Sequence, residues 1–236
     1  MNWKKLIGKI GIGAVGFCCG ACDSGDIYPD EGNEGNVRKI ETVCVLEHTE
    51  TIPKARERKL MWAAFATKDD LQPLRSERIT SASAGGSTAV TLTQVPKEAT
   101  YVALVLTDQT SRVLHVFYGQ EITAGTADLK LNAGKVDLVS FDRVQHQLFN
   151  QSCLQCHMSG NASAGLVLEE NSSYAAIVGR PAQTAPDRMI VQPGDTLQSE
   201  MYLRLNDTED FHSKFTTLKD DDISLLSVWI QAGAIK

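Results

Sequence analysis

Several absences narrow the possibilities for this sequence before any motif does. No apolar run approaches the roughly 20 residues that span a bilayer; the one at Ile10 to Cys19 is far shorter. Six cysteines are present, but Cys18, Cys19 and Cys22 crowd near the start. Too few remain for the paired framework of a small secreted domain. Beyond residue 36 a single Cys-x-x-Cys pair stands, Cys153 and Cys156, with no second pair downstream. Basic residues are outnumbered, 23 against 29 acidic, for a formal charge of -6. Nucleic acid is therefore not an expected partner, because phosphate contacts need clustered Lys and Arg. Residues 37–138 hold no nucleophile–base pair, acidic cluster or Gly-rich phosphate loop. From Ser140 to the end, ordinary core material is thin.

What is present begins with an export signal. In "MNWKKLIGKIGIGAVGFCCGAC", Lys4, Lys5 and Lys9 precede the short apolar run, and Gly20 and Ala21 precede Cys22. That layout is a processed segment rather than a membrane span. The run "CGAC" resembles a bacterial lipobox, with Cys19 where that motif usually has Leu. The resemblance implies that residues 1–21 are a lipoprotein signal peptide and that Cys22 carries the lipid. The other reading is an ordinary soluble-export signal ending in cysteines. Residues 22–36, acidic and Gly-rich, cannot bury enough surface to order themselves and form a flexible tether. Losing residues 1–21 removes three lysines and no acid, so the formal charge goes from -6 to -9. A partner with a basic docking face would be steered toward such a chain.

Residues 37–138 have a period of two. "VRKIETVCVLEH", "KLMWAAFAT", "STAVTLTQV", "TYVALVLTD", "RVLHVFYGQ" and "ADLKLNAG" are short, β-branched or aromatic, and separated by turn residues. In "AVTLTQV", Val90 and Leu92 share one face and Thr91 and Thr93 the other. The pattern predicts an all-β, immunoglobulin-like antiparallel sandwich, serving as a spacer or interaction module. Cys44 reads as a small buried hydrophobe, and His48 and His115 as isolated strand or surface residues.

The rhythm changes near Ser140. Phe141, Val144, Leu148 and Phe149 recur at helical spacing. At the other end, Asp220 to Asp222 open a helix whose stripe includes Ile223, Leu226 and Ile230, with Gly233 as its stop. Between them lies "SCLQCH". A thioredoxin-like dithiol would sit at a helix start after a strand, whereas here a helix precedes the motif. Structural zinc needs four ligands, and only Cys153, Cys156 and His157 are at hand. Cys-x-x-Cys-His also marks c-type haem attachment, two thioethers and an adjacent axial histidine, and export suits it. Haem is the preferred reading.

With the landmarks "SCLQCH", "ASAGLVLEENSSYAAIVGRPA", "IVQPGDTLQSEMYLRL" and "VWIQAGA", residues 139–236 resemble a class I cytochrome c domain of bacterial lipoproteins. The resemblance implies an all-α domain with one covalent haem c and His157 as proximal ligand. It also implies a wall drawn from Leu166, Leu168, Tyr174, Ile177, Val178, Ile190, Leu197, Tyr202 and Leu203. The family's Met-Pro pair before the last helix is missing; "DTEDFHSKFTTLKDDD" stands there instead. His212 is the leading distal candidate, Met189 and Met201 are weaker ones, and Met158, His146 and Lys214 trail. An open iron position is the remaining option.

The expected protein is thus an exported, lipid-anchored monohaem cytochrome of the bacterial cell envelope, facing the periplasm or the cell surface. It would carry single electrons to or from a protein partner. A five-coordinate haem protein for ligand sensing or peroxidase-like chemistry is the alternative, as is a partner-binding lipoprotein with an accessory haem.

Overall fold

The alternation in "VRKIETVCVLE" becomes β1 (Val37–Glu47), which turns Arg38, Ile40, Thr42, Cys44 and Leu46 inward. The computed structural model describes residues 35–54, 56–215 and 218–236. The signal segment and Cys22 lie outside the described residues. After β1 come β2 (Arg58–Phe65), β3 (Arg75–Ile79), β4 (Ser87–Pro96), β5 (Tyr101–Asp108), β6 (Val113–Glu121) and β7 (Leu129–Asp137). They form two sheets, β4-β1-β7 and β3-β2-β5-β6. Ile40, Leu46, Leu60, Trp62, Leu92 and Leu104 fill the space between them. β1 pairs antiparallel with β4 but parallel with β7, so the sandwich is not wholly antiparallel. The parallel pair needs a long crossover, which the intervening strands of both sheets supply. β2 and β5 are apolar on both faces because Met61, Ala63, Phe65, Ala103 and Val105 form a second, smaller cluster.

The remainder contains α1 (Phe141–Val144), a π-helical segment Gln145–Cys153, α2 (Ser173–Ile177), α3 (Glu200–Asn206), α4 (Phe211–Phe215) and α5 (Asp220–Gln231). Among them run the short strands β8 (His157–Met158), β9 (Asn161–Ala162), β10 (Pro181–Ala182) and β11 (Ala185–Met189), paired in two further small sheets. This corrects the expectation of an all-α class I cytochrome c domain. The described residues are predominantly a β-sandwich followed by short helices, and among them only α5 is a helix of ordinary length. Pro181, Pro186, Pro193, Gly165, Gly179 and Gly194 punctuate the segment, and such residues stop helices within a turn or two. Short helices hold only through tertiary packing. Here Phe141, Val144, Leu148, Phe149, Leu226 and Trp229 supply it in a second core. Among the described residues no helix is long and apolar enough to cross a membrane.

A buried polar seam joins the sandwich to these helices. Arg143, 1% exposed, donates to Leu138 O, to Thr51 Oγ1 and O, and to Gln147 Oε1. Burial pushes its guanidinium down to about 9, against the opposing pull of Asp221. Beside it, Asp222 at the start of α5 accepts from Arg58 Nη1 at 2.7 Å and from Gln147 Nε2 at 2.9 Å. Its other oxygen accepts from Lys219 N, the reach-back bond of a helix cap.

Candidate functional site

The helix leading into "SCLQCH" widens. Ser140 Oγ caps it by accepting from Arg143 N, and the π-helical segment then runs to Cys153, ending on Leu154 N→Phe149 O at 3.1 Å. π-helical insertions are rare and occur often at functional sites. A tight turn, Cys156 N→Cys153 O at 3.1 Å, separates the two cysteines. Both are thiols, Cys153 half-buried and Cys156 exposed. Burial, aided by the charge of Asp222, pushes the Cys153 thiol up to about 12. His157 opens β8 and is anchored twice to the following loop. Its O accepts from Leu168 N at 2.7 Å, and its Nδ1 faces Leu166 O at 3.2 Å. A carbonyl can only accept, so Nδ1 carries the hydrogen of this bond. Metal-binding histidines are commonly oriented by a bond of this kind.

The thiols should differ in reactivity. Thiolate, not thiol, attacks electrophiles. With its ionisation displaced from 9.0 to about 12, Cys153 should alkylate about a thousandfold more slowly than in the unfolded chain. Mass spectrometry after brief iodoacetamide treatment at pH 8 should find Cys156 modified and Cys153 intact until denaturant is added. Equal rates would contradict the burial of Cys153.

The structure brings His212 to His157. Their ring centres are 6.3 Å apart and their planes lie within 17°. His212 Nδ1 meets Asp210 Oδ1 at 2.7 Å, and the same oxygen accepts from His212 N at the start of α4. Both rings therefore commit Nδ1 to an acceptor, a carbonyl for His157 and a carboxylate for His212.

The other candidates are engaged elsewhere. His146 faces His115 through Nδ1 and Glu170 through Nε2, and Lys214 pairs with Glu209. Met158 is exposed, Met201 packs against the C-terminal core, and Met189 lies in β11. Among the expected wall residues, Leu168 and Ile177 are core, whereas Leu166, Tyr174, Val178, Ile190 and Tyr202 border it half-buried. Leu203 on α3 is half-buried too, but Leu197 is 70% exposed and lines no core. A cleft of about 510 Å³ runs past α3, α4 and α5, lined in part by Tyr202, Leu205, Ser213, Leu218 and Val228. Among the described residues no group of three or more His, Cys, Asp or Glu could hold a bare metal ion. A haem asks for less, because the porphyrin supplies four nitrogens and the protein only the axial ligands. Cys153, Cys156, His157 and His212 are of the residue types this demand calls for, though none of them lines the cleft.

Arg204 and Glu200 were not singled out from the sequence. Arg204 reaches Asp210 Oδ2, and Glu200 holds Arg204 from one helical turn earlier. The i,i+4 spacing of Glu200 and Arg204 was the available signal.

No protein-family profile matches this chain, and no curated protein sequence matches it. A solved structure with some similarity is Kuenenia stuttgartiensis hydrazine synthase, 11% identical, with a TM-score of 0.32. The match spans 88% of this chain and 44% of that one. A superposition so loose carries no argument about fold or activity.

Proposed function

We propose that this chain holds one covalently attached haem c and passes single electrons to or from a protein partner. The observation that carries the reading is the His157–His212 pair, 6.3 Å and 17° apart, beside two thiols at the attachment spacing. Cys153 and Cys156 would each attach the haem through a thioether, and His157 and His212 would bind its iron. A haem so bound supplies a one-electron ferric–ferrous couple, and two imidazoles generally give it a lower potential than a His/Met pair. The chain's own part is to keep both rings in the Nδ1–H form, to shield one edge with Leu166, Ile190 and Tyr202, and to exclude substrate from the iron. The acidic mature chain favours a partner with a basic docking face. The export signal and Cys22 favour a lipid anchor at the bacterial cell envelope.

The test is production with c-type maturation machinery. The expected product retains haem through denaturation and shows a six-coordinate, low-spin spectrum unaffected by carbon monoxide when reduced. Replacing Cys153 and Cys156 by serine should abolish covalent haem, and His212→Ala should open the reduced iron to carbon monoxide. A wild-type protein that binds carbon monoxide rapidly would favour ligand sensing instead. In the same cultures, labelled fatty acid should enter wild type and not Cys22→Ser; equal labelling would defeat the anchor.

A further inference from the structure

His212 is tied into a chain of alternating charges that no electron-transfer step requires as such. Arg188 Nη1 lies 3.1 Å from Glu200 Oε2, and Glu200 Oε1 lies 2.8 Å from Arg204 Nε. Arg204 Nη1 then lies 3.2 Å from Asp210 Oδ2, and Asp210 Oδ1 lies 2.7 Å from His212 Nδ1. The chain links β11, α3 and α4. The side chains of Glu200 and Asp210 are 10% and 14% exposed, so these contacts are better shielded from screening than most surface pairs. His157 has no such backing, since its Nδ1 meets only a neutral carbonyl. The two neighbouring rings are thus held by acceptors of unequal strength, and charge-assisted hydrogen bonds are about twice as strong as neutral ones.

We infer that Asp210, backed by Arg204 and Glu200, is a positioning residue that holds His212 in the Nδ1–H tautomer and strengthens its Nε2 as a donor to iron. This rests on the haem reading above. A carboxylate drawing on Nδ1–H pushes electron density toward Nε2, which favours ferric over ferrous iron and lowers the potential. Arg204 moderates that pull by holding part of the carboxylate's charge.

Two measurements test the inference. In protein made without haem-attachment machinery, long-range proton–nitrogen NMR should show His212 as the Nδ1–H tautomer. Asp210→Ala should move it toward Nε2–H and leave His157 unchanged. A wild-type His212 in the Nε2–H form, or one indifferent to Asp210→Ala, overturns the inference. In haem-loaded protein, Asp210→Asn should raise the midpoint potential; a tenfold loss of ferric preference corresponds to about 59 mV. Arg204→Gln should shift it negative. Glu209→Gln, which removes a nearby carboxylate paired with Lys214 instead, should leave it unmoved. Shifts of equal size in Asp210→Asn and Glu209→Gln would show unspecific charge effects and overturn the role of the hydrogen bond. A protein that takes up no haem overturns the proposed function and with it the ligand role of His212. That failure is recognisable, because the ring tautomer is read without haem.

Discussion

Asp222→Ala is expected to destabilise the fold by about 3–5 kcal/mol, the cost of breaking a buried ion pair from one side. Asp222 is 0% exposed and is the shared acceptor of Arg58 Nη1, Gln147 Nε2 and Lys219 N. Its removal leaves the Arg58 guanidinium, whose side chain is only 10% exposed, without its carboxylate. It also deprives α5 of its cap and Gln147 of a partner. For a chain of this size the melting temperature should fall by roughly 10 °C. Asp222→Asn keeps an acceptor oxygen and should cost less, ordering the variants as wild type, Asn, Ala. Denaturant unfolding at pH 7 measures this, and a loss below about 1 kcal/mol for Asp222→Ala would mean the seam does not hold the two regions together.

Acid should weaken the same junction through His115. This residue is 8% exposed on β6, edge-on to Phe117, with its Nδ1 3.0 Å from His146 Nδ1. Burial first, then the charges of His146 and Arg143, push its ionisation from 6.5 down to about 3. Glu170 faces the pair only from the far side, through His146 Nε2. Between pH 6.5 and 3 the unfolded chain binds a proton at this site that the folded chain refuses. Stability is therefore present in full above pH 6.5 and is lost as pH falls toward 3. The displacement corresponds to about 5 kcal/mol over the whole window and about 3 kcal/mol by pH 4. Once both Nδ1 atoms carry hydrogens they repel, and β6 parts from the π-helical segment. Unfolding free energies at pH 7 and pH 4 should show the loss in wild type and a much smaller one in His115→Leu. The same slope in both proteins would assign the acid sensitivity to other groups.

These two effects sit where sequence reasoning had least to work with. The strands of residues 37–138 were readable because burial on one face writes a period of two, and "VRKIETVCVLE" does so over eleven residues. α5 was readable for the same kind of reason, a stripe at helical spacing behind three aspartates. His115 was not, since one histidine in a strand has the same local pattern whether it meets solvent or a second histidine on another element. Asp222 was read as one of three capping aspartates. Only the fold distinguishes it from Asp220, which is exposed. The all-α expectation failed because the landmarks after "SCLQCH" describe composition, while Pro and Gly decide how far each helix can run.

By itself the sequence determined the strand pattern, the capped start of α5, and the spacing of Cys153, Cys156 and His157. Each is a local property, set by side chains a few residues apart. Tertiary structure alone decided the parallel pairing of β1 with β7 and the burial of Arg143 and Asp222. It also decided that His212, 55 positions after His157, stands parallel to it at 6.3 Å. Those are long-range contacts, and their partners are chosen by packing and by the need to satisfy every buried charge, which no short stretch of sequence encodes.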